Sequence, residues 1–162
     1  MKLSTRTRYG IRMMLSLALQ YGQGTVFLKD IAKEESISEK YLSLIIIPLK
    51  AAGLIHSIRG AYGGYHLAKE PSKITIKEIV DILEGECLVD CIHDTSFCPR
   101  IQTCATRDVW VLLSETISKA LNRITLEKLT RLSRKKVRNF LPTENKNGGN
   151  GNGLRNTLSK AS

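Results

Sequence analysis

Residues 27–65, FLKDIAKEESISEKYLSLIIIPLKAAGLIHSIRGAYGGY, decide the fold of this chain. The pattern predicts a short helix over residues 27–34, a tight turn over residues 36–39, and a longer helix that stops before Gly53. Ser38 is placed to cap the longer of these two helices, which is the third along the chain. Gly53 follows that helix at a position where a left-handed backbone costs least. Two helices joined by a tight turn in this way are typical of a helix-turn-helix.

Two short apolar runs follow that helix, at residues 54–59 and 65–68, and a glycine-rich segment joins them. Runs of this kind on either side of Gly60-Ala61-Tyr62-Gly63-Gly64 predict a β-hairpin, or wing. Arg59 lies at its flexible tip, and an arginine there can enter a narrow minor groove, where the negative potential is enhanced.

The rest of the chain reads mainly as helix. A first helix is predicted over residues 4–21, a fourth over residues 74–83, and a long amphipathic helix from Ala105, followed by a last one from Leu126 to Val137. The apolar stripe predicted for the first helix is Tyr9, Ile11, Met14, Leu15, Ala18 and Leu19. The predicted fold class is therefore mainly α with a small β-hairpin: a winged helix-turn-helix head plus a long dimerisation helix. Its predicted parts are the head (1–84), a cysteine-bearing loop (85–104), dimerisation helices (105–140) and a disordered tail (141–162).

Charge is unevenly distributed over the 162 residues, whose net charge is +10. Residues 1–60 carry nine Lys and Arg against four Asp and Glu, a net +5, whereas residues 61–130 carry eight against ten, a net −2. A basic head favours phosphate binding. No signal peptide or membrane-spanning run is evident, which predicts a cytoplasmic protein with no membrane partner.

All four cysteines lie in one 18-residue stretch, Cys87 to Cys104, CLVDCIHDTSFCPRIQTC. Disulfides are uncommon in the cytoplasm, so the cluster predicts metal binding or redox sensing. The spacings leave only Cys87 and Cys91 as a zinc knuckle, and the wider loops favour an iron–sulfur cluster. Zinc and a cluster-free thiol switch remain alternatives for the site, and a small iron–sulfur redox protein remains an alternative for the function.

Three segments carry a family resemblance: the opening residues 1–10, the turn 37–43, and residues 53–65 with the wing motif Arg-Gly-x-x-Gly-Gly-Tyr. They resemble winged-helix transcription regulators of the IscR/NsrR type (the Rrf-two family), in the subgroup that binds iron–sulfur clusters. The resemblance covers about residues 1–137. It implies a homodimer joined by the long helix, binding a roughly palindromic operator on double-stranded DNA, expected to be a repressor, and no enzymatic activity.

The same resemblance implies a cluster held by Cys91, Cys98 and Cys104, with a 2Fe–2S form favoured over 4Fe–4S. IscR-like members take their fourth ligand from a histidine where this chain has Arg107, which cannot donate a lone pair. NsrR-like members use an aspartate where this chain has Arg8. Candidates for the fourth ligand are Cys87, Asp90, His93, Asp94, a small molecule or water, and Cys87 is chemically the best.

The predicted DNA contacts come from the amino terminus, the helix-turn-helix and the wing. Side chains of the turn and of the longer helix that follows it would approach bases and phosphates. The amino terminus would hold the DNA backbone, and Arg59 would enter the minor groove. The full set is Lys2, Ser4, Thr5, Arg6, Lys29, Ser38, Glu39, Lys40, Tyr41, Ser43, Arg59, Gly60 and Tyr62.

Overall fold

A computed structural model describes residues 3–60, 62–85, 89–92, 94, 96 and 98–140. It is mainly α-helical with a two-stranded antiparallel hairpin, as predicted. None of its helices, within these ranges, is both long and apolar enough to cross a bilayer. The elements are α1 (Thr5–Leu19), α2 (Leu28–Glu35), α3 (Glu39–Ala51), β1 (Ile55–Ile58), β2 (Gly64–Leu67), α4 (Ile76–Glu84), α5 (Ala105–Asn122) and α6 (Leu126–Phe140), with 3₁₀ turns at Pro71–Lys73 and Asp90–Ile92.

Hydroxyl side chains begin four of these helices. The Ser4 Oγ accepts the Thr7 amide at 3.1 Å, and the Ser38 Oγ accepts the Tyr41 amide at 3.1 Å. Thr75 and Thr125 cap α4 and α6 in the same way. Each bond satisfies an amide that has no partner within its helix, and loss of such a cap costs about 1 kcal/mol.

The core lies where α1 crosses α3 and α4. The predicted stripe on α1 is partly wrong: Met13 and Leu17, which it omitted, are fully buried or nearly so, whereas Leu15 and Leu19 are only half-buried. The physical reason is that α1 packs against α2, α3, α4, α6 and β2 at once, so its buried face is wider than one stripe. Other fully buried side chains are Ile31, Leu42, Leu49, Leu54, Ile55, Ile74 and Ile79.

The last helix returns to the head. The Ile76 amide donates to the Ile124 carbonyl at 2.8 Å, and the Leu126 amide donates to the Ile74 carbonyl at 2.9 Å. Leu126 is completely buried, and α6 packs on α1. The turn between α5 and α6 is therefore fixed to the head, so that α5 has a defined orientation relative to the helix-turn-helix.

The wing is secured from the segment before α2. Val26 and Tyr65 exchange two backbone hydrogen bonds of 2.9 Å, which adds a short bridge beside β2. Gly64 makes this approach feasible, because a Cβ atom there would lie 2.7 Å from the Val26 carbonyl oxygen, and its φ of +147° suits glycine. The glycine pair in the wing motif thus has a steric cause.

Ser36, in the turn between α2 and α3, has a left-handed backbone with φ of +54°. We expect Ser36→Gly to stabilise the protein by about 1 kcal/mol, because an L side chain is strained there and glycine is not. Thermal unfolding should show a midpoint a few degrees higher. Ser133→Gly, which places glycine inside α6, should lower the midpoint instead; equal decreases for both variants would contradict the strain assignment.

Candidate DNA interface and cysteine segment

The amino-terminal end of α3 presents a polar surface. Glu39 and Lys40, two of the predicted contacts, are exposed. Two neighbouring hydroxyls are already engaged, since the Ser38 Oγ caps α3 and the Ser43 hydroxyl donates to the Lys40 carbonyl at 2.7 Å. Both have remaining capacity for another hydrogen bond, because a hydroxyl has one donor and two acceptor sites.

Tyr41 is half-buried, and its position is set by neighbouring side chains. Its ring meets the Tyr9 ring edge-on, with centroids 5.9 Å apart, and the Arg12 guanidinium lies 5.6 Å from the Tyr9 centroid. Arg12 is itself bound to Glu35 at the end of α2, with Nε 2.6 Å from Oε2. This chain of contacts holds α1 and the helix-turn-helix in one arrangement.

The amino terminus of α1 reaches the same surface. Thr5 and Arg6 are exposed, and Arg6 lines a cavity of about 320 Å³ together with Tyr41, Leu44 and Ile45. Ser4 is directed elsewhere: its amide donates to Glu84 Oε1 at 2.7 Å, and hydrogen bonding by its hydroxyl lowers the pKa of Glu84. Lys2 lies outside the described residues.

The wing lies beside α3 and forms a shared groove with it. A cavity of about 490 Å³ is lined by Glu39 and Lys50 from α3 and by Arg59 and Gly60 from the wing. Lys50 Nζ donates to the Ser57 Oγ at 2.5 Å, which ties the end of α3 to β1. Arg59 and Gly60 are exposed, and Tyr62 is 94% exposed at the tip.

Several residues of this surface were not predicted. Lys50 connects α3 to the wing, and the Thr25 Oγ1 lies 3.0 Å and 3.1 Å from the carbonyl oxygens of Tyr62 and Gly63. Leu44 and Ile47 are large apolar side chains left exposed on α3. A sequence signal for the apolar pair exists, because 44–47 is an unbroken apolar run and a helix can bury only part of such a run. Lys29, which was predicted, is exposed on α2 with its ammonium 5.2 Å from the Phe27 ring centroid.

Three cysteines are described, and each is half-buried with a free thiol. Cys91 lies in the 3₁₀ turn, Cys98 follows it in the loop, and Cys104 precedes α5 directly. The Cys104 Sγ lies 3.1 Å from the Thr106 Oγ1; this hydrogen bond, helped by the Arg107 amide, lowers the pKa of the Cys104 thiol. Cys87 and His93 lie outside the described residues.

Arg107 joins the cysteine segment to α5. Its Nε donates to the Cys91 carbonyl and a terminal nitrogen donates to the Ile92 carbonyl, both at 3.3 Å. The residue that occupies the position of a histidine ligand thus serves as a tether between the 3₁₀ turn and the helix. The carbonyl groups of Cys91 and Ile92 are thereby joined to the first turn of α5.

The donor chemistry of this segment fits an iron–sulfur cluster, because partly accessible cysteine thiols are the ligands that such clusters use. The geometry fits less well. Among the described residues, no three Cys, His, Asp or Glu side chains are grouped so that they could hold a metal ion. The described residues of the segment therefore suit the group in kind but are not assembled around a common centre.

The outer side of α5 carries a stripe of exposed apolar side chains. Val109, Leu112 and Leu113 are 52%, 65% and 41% exposed, and Trp110 beside them is 39% exposed. The opposite side, with Leu121, packs on the core of the head. The stripe predicted from the sequence is thus divided between two faces, of which only one is covered within the chain.

Comparison with known proteins places this geometry in a family. The family model described as "Rrf2: Iron-dependent Transcriptional regulator" matches residues 3–132. The chain belongs to the Rrf2 family of transcriptional regulators. The family prediction and the absence of an enzymatic role are thereby confirmed, since this is a family of regulators.

Proteins similar to this Rrf2 regulator include CymR and IscR. It is 41% identical to the HTH-type transcriptional regulator CymR of Bacillus subtilis over 130 residues, 80% of this chain and 89% of that protein. The solved structure of CymR, the global cysteine regulator of B. subtilis, matches with a TM-score of 0.69, covering 82% of this chain and 98% of that one. T. potens IscR matches with a TM-score of 0.70 at 36% identity, covering 84% and 90%.

Proposed function

We propose that this Rrf2 regulator is a homodimer that binds a roughly palindromic operator through α3 and the wing, acting as a repressor. The observation that carries the proposal is the groove shared by α3 and the wing, which is lined by Glu39 at the start of α3, by Lys50 at its end and by Arg59 from the wing. A helix of this kind enters the major groove with its amino-terminal residues toward base edges. With α3 in the major groove, Arg59 at the tip of the wing is placed to enter the neighbouring minor groove.

The charge of the head supports DNA as the partner. Residues 1–60 carry a net charge of +5, from nine basic and four acidic residues. Two of those four acids already have a favourable partner within the fold. Glu35 binds Arg12, and Glu39 lies in the first turn of α3, where the helix dipole stabilises a carboxylate. Phosphate contacts by this surface would make binding weaken steeply with salt.

The homodimer is supported by the outer stripe of α5. Val109, Leu112 and Leu113 form an apolar face on a helix whose other side is already packed on the head. Exposed apolar patches of this sort mark interaction sites in soluble proteins. Two copies joined there would have twofold symmetry, and twofold heads bind half-sites about one helical turn apart.

For the signal, we propose an iron–sulfur cluster bound by Cys91, Cys98 and Cys104, with a 2Fe–2S form favoured and Cys87 as the fourth ligand. The presence of three thiols in one segment and the iron-dependent description of the family support this assignment. A cluster held by these thiols would supply a centre that responds to iron supply, oxidants or nitric oxide. The protein's own part is to draw the segment together and, through Arg107, to pass the change to α5.

A second candidate signal is oxidation of the thiols without any metal. The lowered pKa of Cys104 favours it, because the thiolate is the reactive form of cysteine. The likeness to a protein called the global cysteine regulator is also consistent with thiol chemistry. The two candidates differ in iron content, which is the decisive measurement.

Arg59→Ala tests the DNA-binding surface. We expect operator affinity to fall about tenfold to hundredfold at fixed salt. The slope of log affinity against log salt concentration should become shallower by about 1, because the variant lacks one cation that contacts the DNA. Fluorescence anisotropy on a selected duplex would measure both. Arg123→Ala removes the same charge from an exposed position at the end of α5 and should change neither value. Unchanged affinity for Arg59→Ala would refute the wing assignment.

A further inference from the structure

Two large apolar side chains lie exposed on α3, the helix proposed to enter the major groove. Leu44 is 56% exposed and Ile47 is 63% exposed, although the remaining leucines and isoleucines of this helix are buried. They follow Lys40 at spacings of four and three residues, so that all three share one face of the helix. Their Cα atoms lie about 7.5 Å and 12 Å along the helix axis from Glu39. A DNA major groove that receives the start of α3 would therefore also reach both side chains.

The fold gives these side chains no structural role. Their neighbours Leu42, Ile45, Ile46 and Leu49 already fill the core side of α3. Leu44 borders the small cavity beside Arg6 and Tyr41 without being covered by it. Exposing so much apolar surface is unfavourable in water, so a partner that covers it would be stabilised.

We propose that Leu44 and Ile47 recognise thymine C5-methyl groups in the major groove, so that A·T pairs at two defined operator positions contribute affinity through apolar contact. The proposal rests on the proposed DNA-binding function and goes beyond it by naming the base feature that is recognised. The major groove offers one exposed apolar group, the thymine methyl, and aliphatic side chains are suited to contact it. Neither side chain can read a base by hydrogen bonding.

Charge around the pair favours DNA over a second copy of the chain. Arg6 lines the cavity that Leu44 borders, Lys40 is one helical turn before Leu44, and Lys50 is one turn after Ile47. Glu39 is the one carboxylate among the described residues that line this cavity and the α3 and wing groove. Two such surfaces placed face to face would repel each other, whereas phosphates on either side of a groove would attract them. The apolar pair lies on the same helix that lines the α3 and wing groove, so one duplex could cover both.

The test begins with selection of bound sequences from a random duplex library by the full-length protein. The selected duplex is then made with deoxyuridine in place of thymidine, one position at a time, which removes a single methyl group and keeps all hydrogen-bonding groups. Affinities are measured for the wild type and for the Leu44→Ala and Ile47→Ala variants, with thermal unfolding as a check on folding. Deoxyuridine outside the selected motif is the control.

We expect removal of each recognised methyl group to weaken wild-type binding about fourfold, the effect of exposing one buried methyl. Leu44→Ala should bind the thymine duplex more weakly, and the uracil at its position should then have no further effect. Ile47→Ala should behave likewise at another position. Equal wild-type affinity for thymine and uracil duplexes would overturn the proposal.

Three other outcomes also decide whether the assignment holds. If uracil weakens the wild type and both variants to the same extent, the methyl groups are recognised by other residues and the assignment to Leu44 and Ile47 is wrong. If no sequence is enriched in the selection, the DNA-binding function itself fails, and this proposal falls with it. A folded variant that loses affinity on every duplex, with the uracil effect intact, also counts against the assignment.

Discussion

Leu112→Glu is expected to convert the proposed dimer into a monomer and to lower operator affinity by two to three orders of magnitude. Leu112 is 65% exposed in the single chain and lies in the middle of the outer stripe of α5, so a twofold interface would bury it and its counterpart together. An unpaired carboxylate buried twice in an apolar interface is strongly unfavourable. The loss of affinity follows because two linked heads bind a two-half-site operator far more tightly than one head alone.

Light scattering after gel filtration measures the mass, and titration on full and half operators measures the affinity. The monomer should bind the half-site as well as the wild-type head does, since α3 and the wing are distant in sequence and unaltered. Asn122→Glu is a matched control, because it adds the same carboxylate at an exposed position of α5 outside the stripe. If Leu112→Glu kept the wild-type mass, the stripe would not be the dimer interface.

The helix-turn-helix and the wing were predictable because their signals are local. Ser38 and Thr75 are hydroxyls at helix starts, and Gly60 and Gly64 have positive φ in the wing. A cap or a left-handed glycine acts within a few residues, so the sequence around it contains the whole cause. The order of these signals was sufficient to define the head.

The faces of α5 and the position of α6 were less predictable, because they depend on distant contacts. Periodicity identified α5 as amphipathic, but apolar residues occur on two of its sides, and the pattern does not say which side the head covers. Leu126 becomes fully buried only because the Ile74 and Ile124 segments pair across the fold. Sequence spacing carries no information about such a pairing.

The cysteine segment shows a further limit. Spacing identified candidate ligands, yet the role of Arg107 as a tether to the Cys91 and Ile92 carbonyls depends on the 3₁₀ turn at Asp90–Ile92, which an aperiodic sequence did not reveal. The Ser43 and Ser4 hydroxyls were similarly predicted to face DNA, whereas each also makes a local bond within the fold. Short polar side chains often bond to nearby backbone, and this competition is resolved only in three dimensions.

Cys98→Ala is expected to reduce bound iron and sulfide at least tenfold after anaerobic reconstitution, and to remove the visible absorption of the protein. The reason is that Cys98 is one of the proposed ligands, and alanine cannot coordinate iron. The remaining proposed thiol ligands would be too few to hold the cluster. Thr103→Ala is the control within the same segment, since it removes an exposed hydroxyl that only lies near the Arg100 carbonyl. Iron and sulfide counts with the absorption spectrum measure the outcome, and Cys87→Ala tests the fourth ligand.

Arg107→His sharpens this prediction because it changes two things in opposite directions. It removes the tether to Cys91 and Ile92, and it places an imidazole, which can coordinate iron, where IscR-like members have their ligand. With a cluster, the variant should retain iron longer in air than the wild type, whereas Arg107→Gln should not. If wild-type protein contains no iron under strictly anaerobic handling, yet an oxidant changes its DNA affinity and Cys104→Ala abolishes that change, the cluster assignment is wrong. The thiol of lowered pKa at the start of α5 is then the sensor.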